Sequence, residues 1–269
     1  MDMPVLYKYC DQLGIVKILG SLELKLPYIS DVNDPLECLP VLDEGTISAM
    51  KKQCIQRFKR EDKVPTGNWE QILEKKWQTG EVSNLRKEQI KRIDDMKQKS
   101  CLLSVSQEAR STVMWAHYAE KHKGGVIGFD FGYYFRNMEP VRYSTQRPKL
   151  NIWDDYLSER FQKKYFKTLI TKSSEWLYEK EFRNLLDDSD LMSFEKDGLV
   201  CLKDFEGRKT WFLRLNPESI REVVFGLYTE DSLKLAIGKL IERPELRHVR
   251  LYQAGESETY TLNLTEIKK

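Results

Sequence analysis

The sequence predicts an α+β fold whose sheet is mainly antiparallel. Short apolar segments with strand alternation recur along the chain, they do not alternate regularly with helices, and the last third has five strand-like segments and a single predicted helix. A parallel doubly wound sheet would require that regular alternation. We therefore predict one α+β domain over residues 1–269, with residues 46–99 as a basic helical insertion in it.

The first hundred residues supply a strand, a helix, a second strand and then the insertion. Residues 4–9 predict the first strand, and residues 11–20 a short helix. The alternating leucines of residues 21–30 predict the second strand. Residues 46–99 predict helices that are broken near residues 63–68, with sparse apolar positions and a wide polar face.

The remaining elements are short strands and helices. Residues 100–107 predict a strand, after which Ser106 suits the N-cap of a helix that continues to Gly124. The run 176–186 predicts a strand, most clearly in its second half. Further predicted segments are strands at 126–131 and 141–146, helices at 152–172 and 230–242, and several strands in the last third of the chain.

Composition and motifs exclude several classes of protein. No stretch approaches the roughly 20 consecutive apolar residues of a membrane helix, and the first residues lack the apolar run of a signal peptide. The five cysteines are too scattered for a CxxC pair, and no HExxH, Walker, GxGxxG or GxSxG motif is found. The sequence therefore predicts a cytoplasmic protein without a metal site and without a membrane partner.

Basic charge is concentrated in residues 51–100. This segment has 14 Lys or Arg against 8 Asp or Glu, while the rest of the chain has 30 against 34. It predicts either a solvated helical face or a surface for nucleic acid. The helix predicted at 152–172 adds outward cations at Arg160, Lys163, Lys164 and Lys167.

Polar and aromatic residues inside apolar segments mark a candidate site. Glu179 and Glu181, two residues apart on a predicted strand, would share one face and need a cation such as Arg183. They fit either a carboxylate pair that orients a reacting sugar or an exposed face with ion pairs. The further candidates are Lys8, Asn33, Asp34, Trp115, His117 and Tyr118. Each also has a purely structural interpretation: Lys8 fits a surface lysine, Asn33 and Asp34 fit an Asx-turn, and the aromatic residues of the helix fit a packed core stripe.

Four sequence runs resemble one bacterial family. They are LYKY (6–9), LPYISDVNDPLEC (26–38), SVSQEARSTVMWAHYAEKHKGGVIGFDF (104–131) and EWLYEKEFRNLL (175–186). In this order they resemble the domain-of-unknown-function 2971 family, over residues 5 to about 260, and the basic insertion is the least typical part. That family is itself similar in layout to the NAD-dependent ADP-ribosyltransferases.

The resemblance implies a split antiparallel sheet that binds NAD as a substrate. Lys8 or Tyr9 would take the first-strand position, where those transferases have His or Arg, and Ser104 or Ser106 would take the central-strand position. Glu179-Lys180-Glu181 would match their ExE motif. Glu181 would stabilise the oxocarbenium-like transition state, and Glu179 would deprotonate the acceptor.

Three functions follow as hypotheses. The first is an ADP-ribosyltransferase-like toxin or phage-defence effector that modifies nucleic acid or protein and is restrained by an antitoxin protein. The second is a non-catalytic nucleic-acid-binding module that uses the basic insertion. The third is a nuclease in which Asp34, Glu179 and Glu181 hold Mg²⁺. The first requires Lys8 and Glu181 to lie close together on one face of the sheet.

Overall fold

The structure, a computed structural model, describes most of the chain as two compact units. The described residues are 4–43, 45–60, 62, 67–79, 82–135, 138–151 and 159–267, without the side chains of 47, 53, 57, 60, 76, 82–85 and 160. The first unit is formed by Met1–Tyr28, Ser100–Val141 and Glu175–Lys269, and the second by Ile29–Lys99 and Arg142–Ser174. The prediction of a single domain stays a prediction.

Strands and helices are numbered in chain order. The strands are β1 (Leu6–Cys10), β2 (Glu23–Leu26), β3 (Val41–Asp43), β4 (Cys101–Ser106), β5 (Gly125–Phe129), β6 (Glu139–Pro140), β7 (Arg142–Ser144), β8 (Lys149–Asn151), β9 (Thr171–Ser173), β10 (Glu181–Leu186), β11 (Val200–Phe205), β12 (Arg208–Arg214), β13 (Ile220–Phe225), β14 (Arg250–Gly255) and β15 (Asn263–Ile267). The helices are α1 (Gln12–Ser21), α2 (Ile47–Arg60), α3 (Trp69–Gln78), α4 (Val82–Lys99), α5 (Thr112–Tyr118), α6 (Glu159–Leu169), α7 (Asp188–Lys196) and α8 (Asp231–Ile241).

The first unit is built on an eight-stranded sheet. Its strand order is β15-β14-β13-β5-β1-β4-β10-β6. Neighbouring strands run antiparallel in the described part of the sheet, apart from the parallel pair β13 and β14. The predicted α+β class with a large, mainly antiparallel sheet is therefore confirmed.

The two faces of this sheet bury different residues. One face carries the main core, in which Leu6, Leu103, Val105 and Ile127 pack against apolar residues of α1 and α8. The other face carries a smaller cluster around Trp115 of α5, together with Tyr9. Because side chains alternate along a strand, each of β1 and β4 contributes to both faces.

The second unit contains the helices predicted for the basic insertion. α2, α3 and α4 confirm the helical prediction for residues 46–99, and α6 and the short parallel pairs β3–β8 and β7–β9 belong to the same unit. The compact unit is thus larger than the predicted insertion. In the described part of the chain, no helix is long and apolar enough to cross a membrane.

The helix predicted from Ser106 to Gly124 is wrong in both of its ends. α5 begins after the N-cap Ser111, and the Ser106 hydroxyl instead accepts a hydrogen bond from the backbone N–H of Glu108 at 3.0 Å. α5 ends at Tyr118 because residues 120–122 all have positive φ angles, between 49° and 67°, which a right-handed helix does not contain.

The strand predicted over residues 176–186 begins only at Glu181. Residues Ser174–Glu179 form a 3₁₀ helix, and Lys180 then takes a left-handed conformation with φ of 43°. The prediction that Glu179 and Glu181 share one face of a strand is therefore wrong, because the chain turns between them. Arg183, two residues further along β10, shares the face of Glu181 instead.

Candidate functional site

Three adjacent strands of the main sheet carry most of the candidate residues. Ser106 of β4 lies opposite both Tyr7 of β1 and Glu181 of β10, and Ser104 lies opposite Arg183. Directly opposed residues of antiparallel strands point to the same face. The sheet therefore brings both serines, Glu181 and Arg183 together on the face that also carries the Trp115 cluster.

Glu181 is held by a buried ion pair. Arg183 donates from Nε to Glu181 Oε1 at 2.8 Å and from Nη2 to Oε2 at 3.0 Å. The Arg183 side chain is fully buried, and Glu181 is only 5% exposed. Ser104 Oγ adds a hydrogen bond to Oε1 at 2.5 Å. Two-point binding of this kind is strong and directional, so the carboxylate is fixed in one orientation.

Glu179 is buried beside the same strands, with a different set of partners. Its Oε1 accepts a hydrogen bond from the hydroxyl of Tyr118 at 2.6 Å. Its backbone carbonyl accepts from Ser106 Oγ at 2.5 Å, and the next carbonyl, of Lys180, accepts from the N–H of Gln107 at 3.0 Å. The end of β4 therefore anchors the turn that positions Glu179 next to Glu181.

Lys8 reaches this cluster from between two strands. Alternation along β1 assigns Lys8 to the core face, whereas Glu181 lies on the other face, so the expectation that they share a strand face is wrong. β1 and β4 pair only at Tyr7–Ser106 in the described part, however, and the Lys8 amine extends to the backbone carbonyl of Ser104 at 2.9 Å. Ser104 connects the two groups, because its carbonyl accepts from Lys8 and its hydroxyl donates to Glu181 Oε1.

Burial dominates the electrostatics of Lys8. Loss of water around the partly buried amine lowers the pKa of Lys8 from its ordinary value of 10.5, while Cys10, Glu181 and Glu179 act in the opposite direction. The charged form of Lys8 is therefore less favourable in the folded protein than in the unfolded chain. A residue that destabilises its own fold in this way is typical of functional sites.

We expect the substitution Lys8→Met to raise the unfolding temperature at neutral pH. In the wild type, burial of the charged Lys8 amine lowers the free energy of unfolding by its full amount at pH values below the pKa that Lys8 has in the folded protein. This destabilisation falls to zero as the pH rises towards 10.5, the ordinary pKa of lysine. The advantage of the variant should therefore shrink between neutral pH and pH 10. Thermal unfolding across this range checks it, with Lys239→Met on the exposed face of α8 as control. A variant less stable than wild type at pH 7 would contradict this assignment.

An open cleft of about 880 Å³ lies beside the cluster, between the start of α1 and the end of α5. Its lining includes Tyr9, Asp11, His117, Tyr118 and Glu120. Neither catalytic candidate, Glu179 or Glu181, contributes to this lining. Tyr118 is therefore a direct link between the cleft and the buried carboxylates, because its hydroxyl bonds Glu179.

The aromatic candidates divide into a buried and an exposed set. Trp115 is fully buried, lies edge-to-face on Tyr9 at 5.6 Å between ring centres, and donates from Nε1 to the carbonyl of Ala109 at 2.8 Å. This fits the interpretation of Trp115 as an aromatic core residue rather than a contact for NAD. His117 is exposed, and its Nδ1 lies 3.1 Å from the hydroxyl of Tyr178.

Asn33 and Asp34 lie in the second unit. The Asp34 carboxylate accepts a hydrogen bond from the backbone N–H of Leu36 at 2.8 Å, which is the Asx-turn that the sequence also allowed. Their predicted contact with NAD stays a prediction.

Sequence reasoning missed Tyr178 and Glu120 as site residues. The structure places the Tyr178 hydroxyl 3.1 Å from His117 Nδ1, and it places Glu120 in the lining of the cleft. Tyr178 lies within the run that carries the family resemblance, so its position in that run was an available signal. Glu120 offered no signal, because a glutamate in an expected helix is indistinguishable from a solvated one.

The geometry required for a metal-dependent nuclease is not found among the described residues. Asp34, Glu179 and Glu181 are all described, yet no three His, Cys, Asp or Glu side chains in that part of the chain are placed to hold one metal ion. The magnesium hypothesis therefore gains no support.

Comparison with known proteins gives one family match, over part of the chain. A family model described as a protein of unknown function (DUF2971) matches residues 114–184. The matched segment contains His117, Tyr118, Glu179 and Glu181, and it supports the resemblance stated above. Comparisons with curated proteins and with solved structures gave no match.

Proposed function

We propose that the protein is an NAD-dependent ADP-ribosyltransferase. The observation that carries the proposal is the buried carboxylate of Glu181 on β10, which is held by Arg183 of the same strand and by Ser104 of β4, while Lys8 of β1 donates to the Ser104 carbonyl. A first-strand cation, a central-strand serine and a glutamate on a later strand are the three positions that the resemblance implies. Here they lie on three neighbouring strands.

The chemistry requires a fixed negative charge beside the ribose of NAD. Breaking the bond from C1′ to the nicotinamide nitrogen leaves its electron pair on nicotinamide and positive charge on the ribose. A carboxylate that is already oriented stabilises this charge without reorganising. Since Glu181 is only 5% exposed, its contact with ribose requires neighbouring side chains to move when NAD binds.

Three departures separate this site from the transferase pattern. The first-strand cation is Lys8 rather than His or Arg, and Glu179 lies on a 3₁₀ helix rather than on the strand of Glu181. Lys8 also lies on the opposite face of the sheet from Glu181, so the condition that both share one face is not met. Lys8 supplies a point charge in place of the two-point binding of an arginine. Its amine suits a phosphate or ribose oxygen of NAD.

The proposed acceptor is nucleic acid or protein, and the proposed biological role is that of a bacterial toxin or phage-defence effector acting in the cytoplasm. NAD labelled in its adenosine half, incubated with the protein and with cellular RNA, DNA and protein fractions, tests this. Label transferred to one fraction supports the proposal and identifies the acceptor class. Transfer to none of them, at any protein concentration that binds NAD, would contradict it.

The basic helices of the second unit are proposed to contact the acceptor. Lys75, Arg86 and Lys87 have exposed side chains, while the side chain of Lys76 lies outside the described residues, as does that of Arg160. Lys163 and Lys167 of α6 are exposed in the same unit. Such a surface fits phosphate contacts with nucleic acid.

We expect charge reversal of Lys75, Lys76, Arg86 and Lys87 to weaken acceptor binding and leave NAD binding intact. Lysine and arginine contacts to phosphates displace counterions, so wild-type affinity should fall steeply between about 50 and 200 mM salt, and less steeply in the variant. Reversal of four cations that are exposed in the first unit, Lys196, Lys209, Lys239 and Arg247, is the matched control. Equal salt slopes in wild type and variant would contradict this role.

A further inference from the structure

We propose that Tyr118 is the residue that takes the proton from the acceptor, and that Glu179 acts through it as a positioning residue. This inference rests on the proposed function and names the proton path of the same site. The sequence alone assigned the proton to Glu179 directly.

Burial is the first reason. Glu179 is 4% exposed and does not line the cleft, whereas Tyr118 lines it and is partly exposed. Of these two residues only Tyr118 lines the cleft, so an acceptor bound there lies next to Tyr118 rather than next to the Glu179 carboxylate. A general base must lie within hydrogen-bond reach of the proton that it removes, and this condition favours Tyr118.

Hydrogen-bond geometry is the second reason. The hydroxyl of Tyr118 donates to Glu179 Oε1 at 2.6 Å, within the range of charge-assisted O–H···O bonds. This bond orients the lone pairs of the hydroxyl oxygen away from Glu179, where they can accept a second proton. The hydroxyl can thus accept one proton while it gives its own to the carboxylate.

Rigid support on both sides is the third reason. Ser106 Oγ fixes the backbone carbonyl of Glu179, and the N–H of Gln107 fixes the next carbonyl. Tyr118 is the last residue of α5, and the following turn is fastened by a hydrogen bond from the N–H of His122 to the carbonyl of Trp115 at 3.3 Å. Both partners are therefore held by different elements at one fixed separation.

The step balances without any further reactant. The C1′–nicotinamide bond breaks and its electrons leave on the nicotinamide nitrogen. The acceptor atom, which carries a hydrogen, uses its lone pair to form the new bond to C1′. Its proton passes to Tyr118 Oη as the Tyr118 proton passes to Glu179 Oε1, and the resulting carboxylic acid later releases its proton to water.

Tyr118→Phe and Glu179→Gln test the path. We expect each variant to lower kcat for transfer by about 10²–10⁴-fold, the range for general base catalysis, with an unchanged KM for NAD. The double variant should be no slower than the slower single variant, because both changes interrupt one path. Both single variants should also lose the limb of the pH–rate profile that reports the base.

Tyr134→Phe is the matched control. Its hydroxyl bonds Ser219 at 2.9 Å, away from the cleft lining, and its loss should leave the transfer rate unchanged. Wild-type turnover by Tyr118→Phe, or a raised KM with unchanged kcat, would overturn the proton role of Tyr118. Failure of the wild type to release nicotinamide from NAD would instead overturn the proposed function, so the two failures are distinguishable.

Discussion

Glu181→Gln is expected to lower the rate of ADP-ribose transfer by at least about 10²–10³-fold, the loss found when one preorganised electrostatic contact to a transition state is removed. Glutamine keeps the shape of the side chain, and its amide oxygen can still accept from Ser104 Oγ and Arg183 Nε, but its NH2 group cannot accept from Arg183 Nη2 and it lacks the negative charge that opposes the ribose cation. Because the buried Arg183 loses its counter-charge, the free energy of unfolding should also fall, by about 3–5 kcal/mol, so the transfer rate is compared for each folded molecule. Transfer of labelled ADP-ribose and the circular dichroism spectrum measure the two properties.

A second buried glutamate supplies the control for this substitution. Glu37 of the second unit is 5% exposed and pairs with Lys172 at 3.4 Å. Glu37→Gln also removes a buried charge, so it should lower stability and leave the transfer rate per folded molecule unchanged. Equal loss of activity in both variants would attribute the effect to stability, and wild-type turnover by Glu181→Gln would refute the assigned role.

Arg183→Met is expected to cost about 3–5 kcal/mol in the free energy of unfolding, because it leaves the buried carboxylate of Glu181 without its cation. Such a loss is a large part of the total stability of a typical domain. The double variant Glu181→Met, Arg183→Met should regain most of that loss, since a buried ion pair replaced by apolar side chains of similar size is often neutral or stabilising. Urea denaturation of the three proteins measures it.

The same variants separate stability from function. The double variant should be folded and inactive, because it restores packing without the charge that the reaction needs. A double variant as unstable as the sum of its single changes would show that Glu181 and Arg183 do not act as a pair. Recovery of transfer activity in the double variant would contradict the proposed role of Glu181.

Local patterns predicted the strands of the site correctly and its turns incorrectly. The segments of β1 and β4 are short and apolar, and the second half of the run that contains β10 is strand-like although its alternation is imperfect, so each segment indicates a strand by itself. Lys180 and residues 120–122 take positive φ angles without being glycines. Hydrogen bonds to residues distant in sequence, such as the one from the Gln107 N–H to the carbonyl of Lys180, stabilise such turns. The residues next to the turns therefore did not predict them.

The sequence predicted which residues belong to the site better than it predicted which of their side chains contact one another. Glu181 and Arg183 share a strand face because their spacing of two residues fixes it, and this pair could be read from the sequence. Tyr118 bonds Glu179 across 61 residues of chain, and Ser104 bonds Glu181 across 77. Contacts of this range depend on strand order and register, which the sequence pattern alone did not determine.

The most direct test of the proposed transferase is the release of nicotinamide from NAD that is labelled in its nicotinamide ring. Purified wild-type protein, supplied with the cellular fractions that contain its acceptor, should release label, and Glu181→Gln should release it at least about 10²-fold more slowly. The Glu37→Gln control should match wild type for each folded molecule. Release that is absent from the wild type, or equal in wild type and Glu181→Gln, would contradict the proposal that this cluster cleaves NAD.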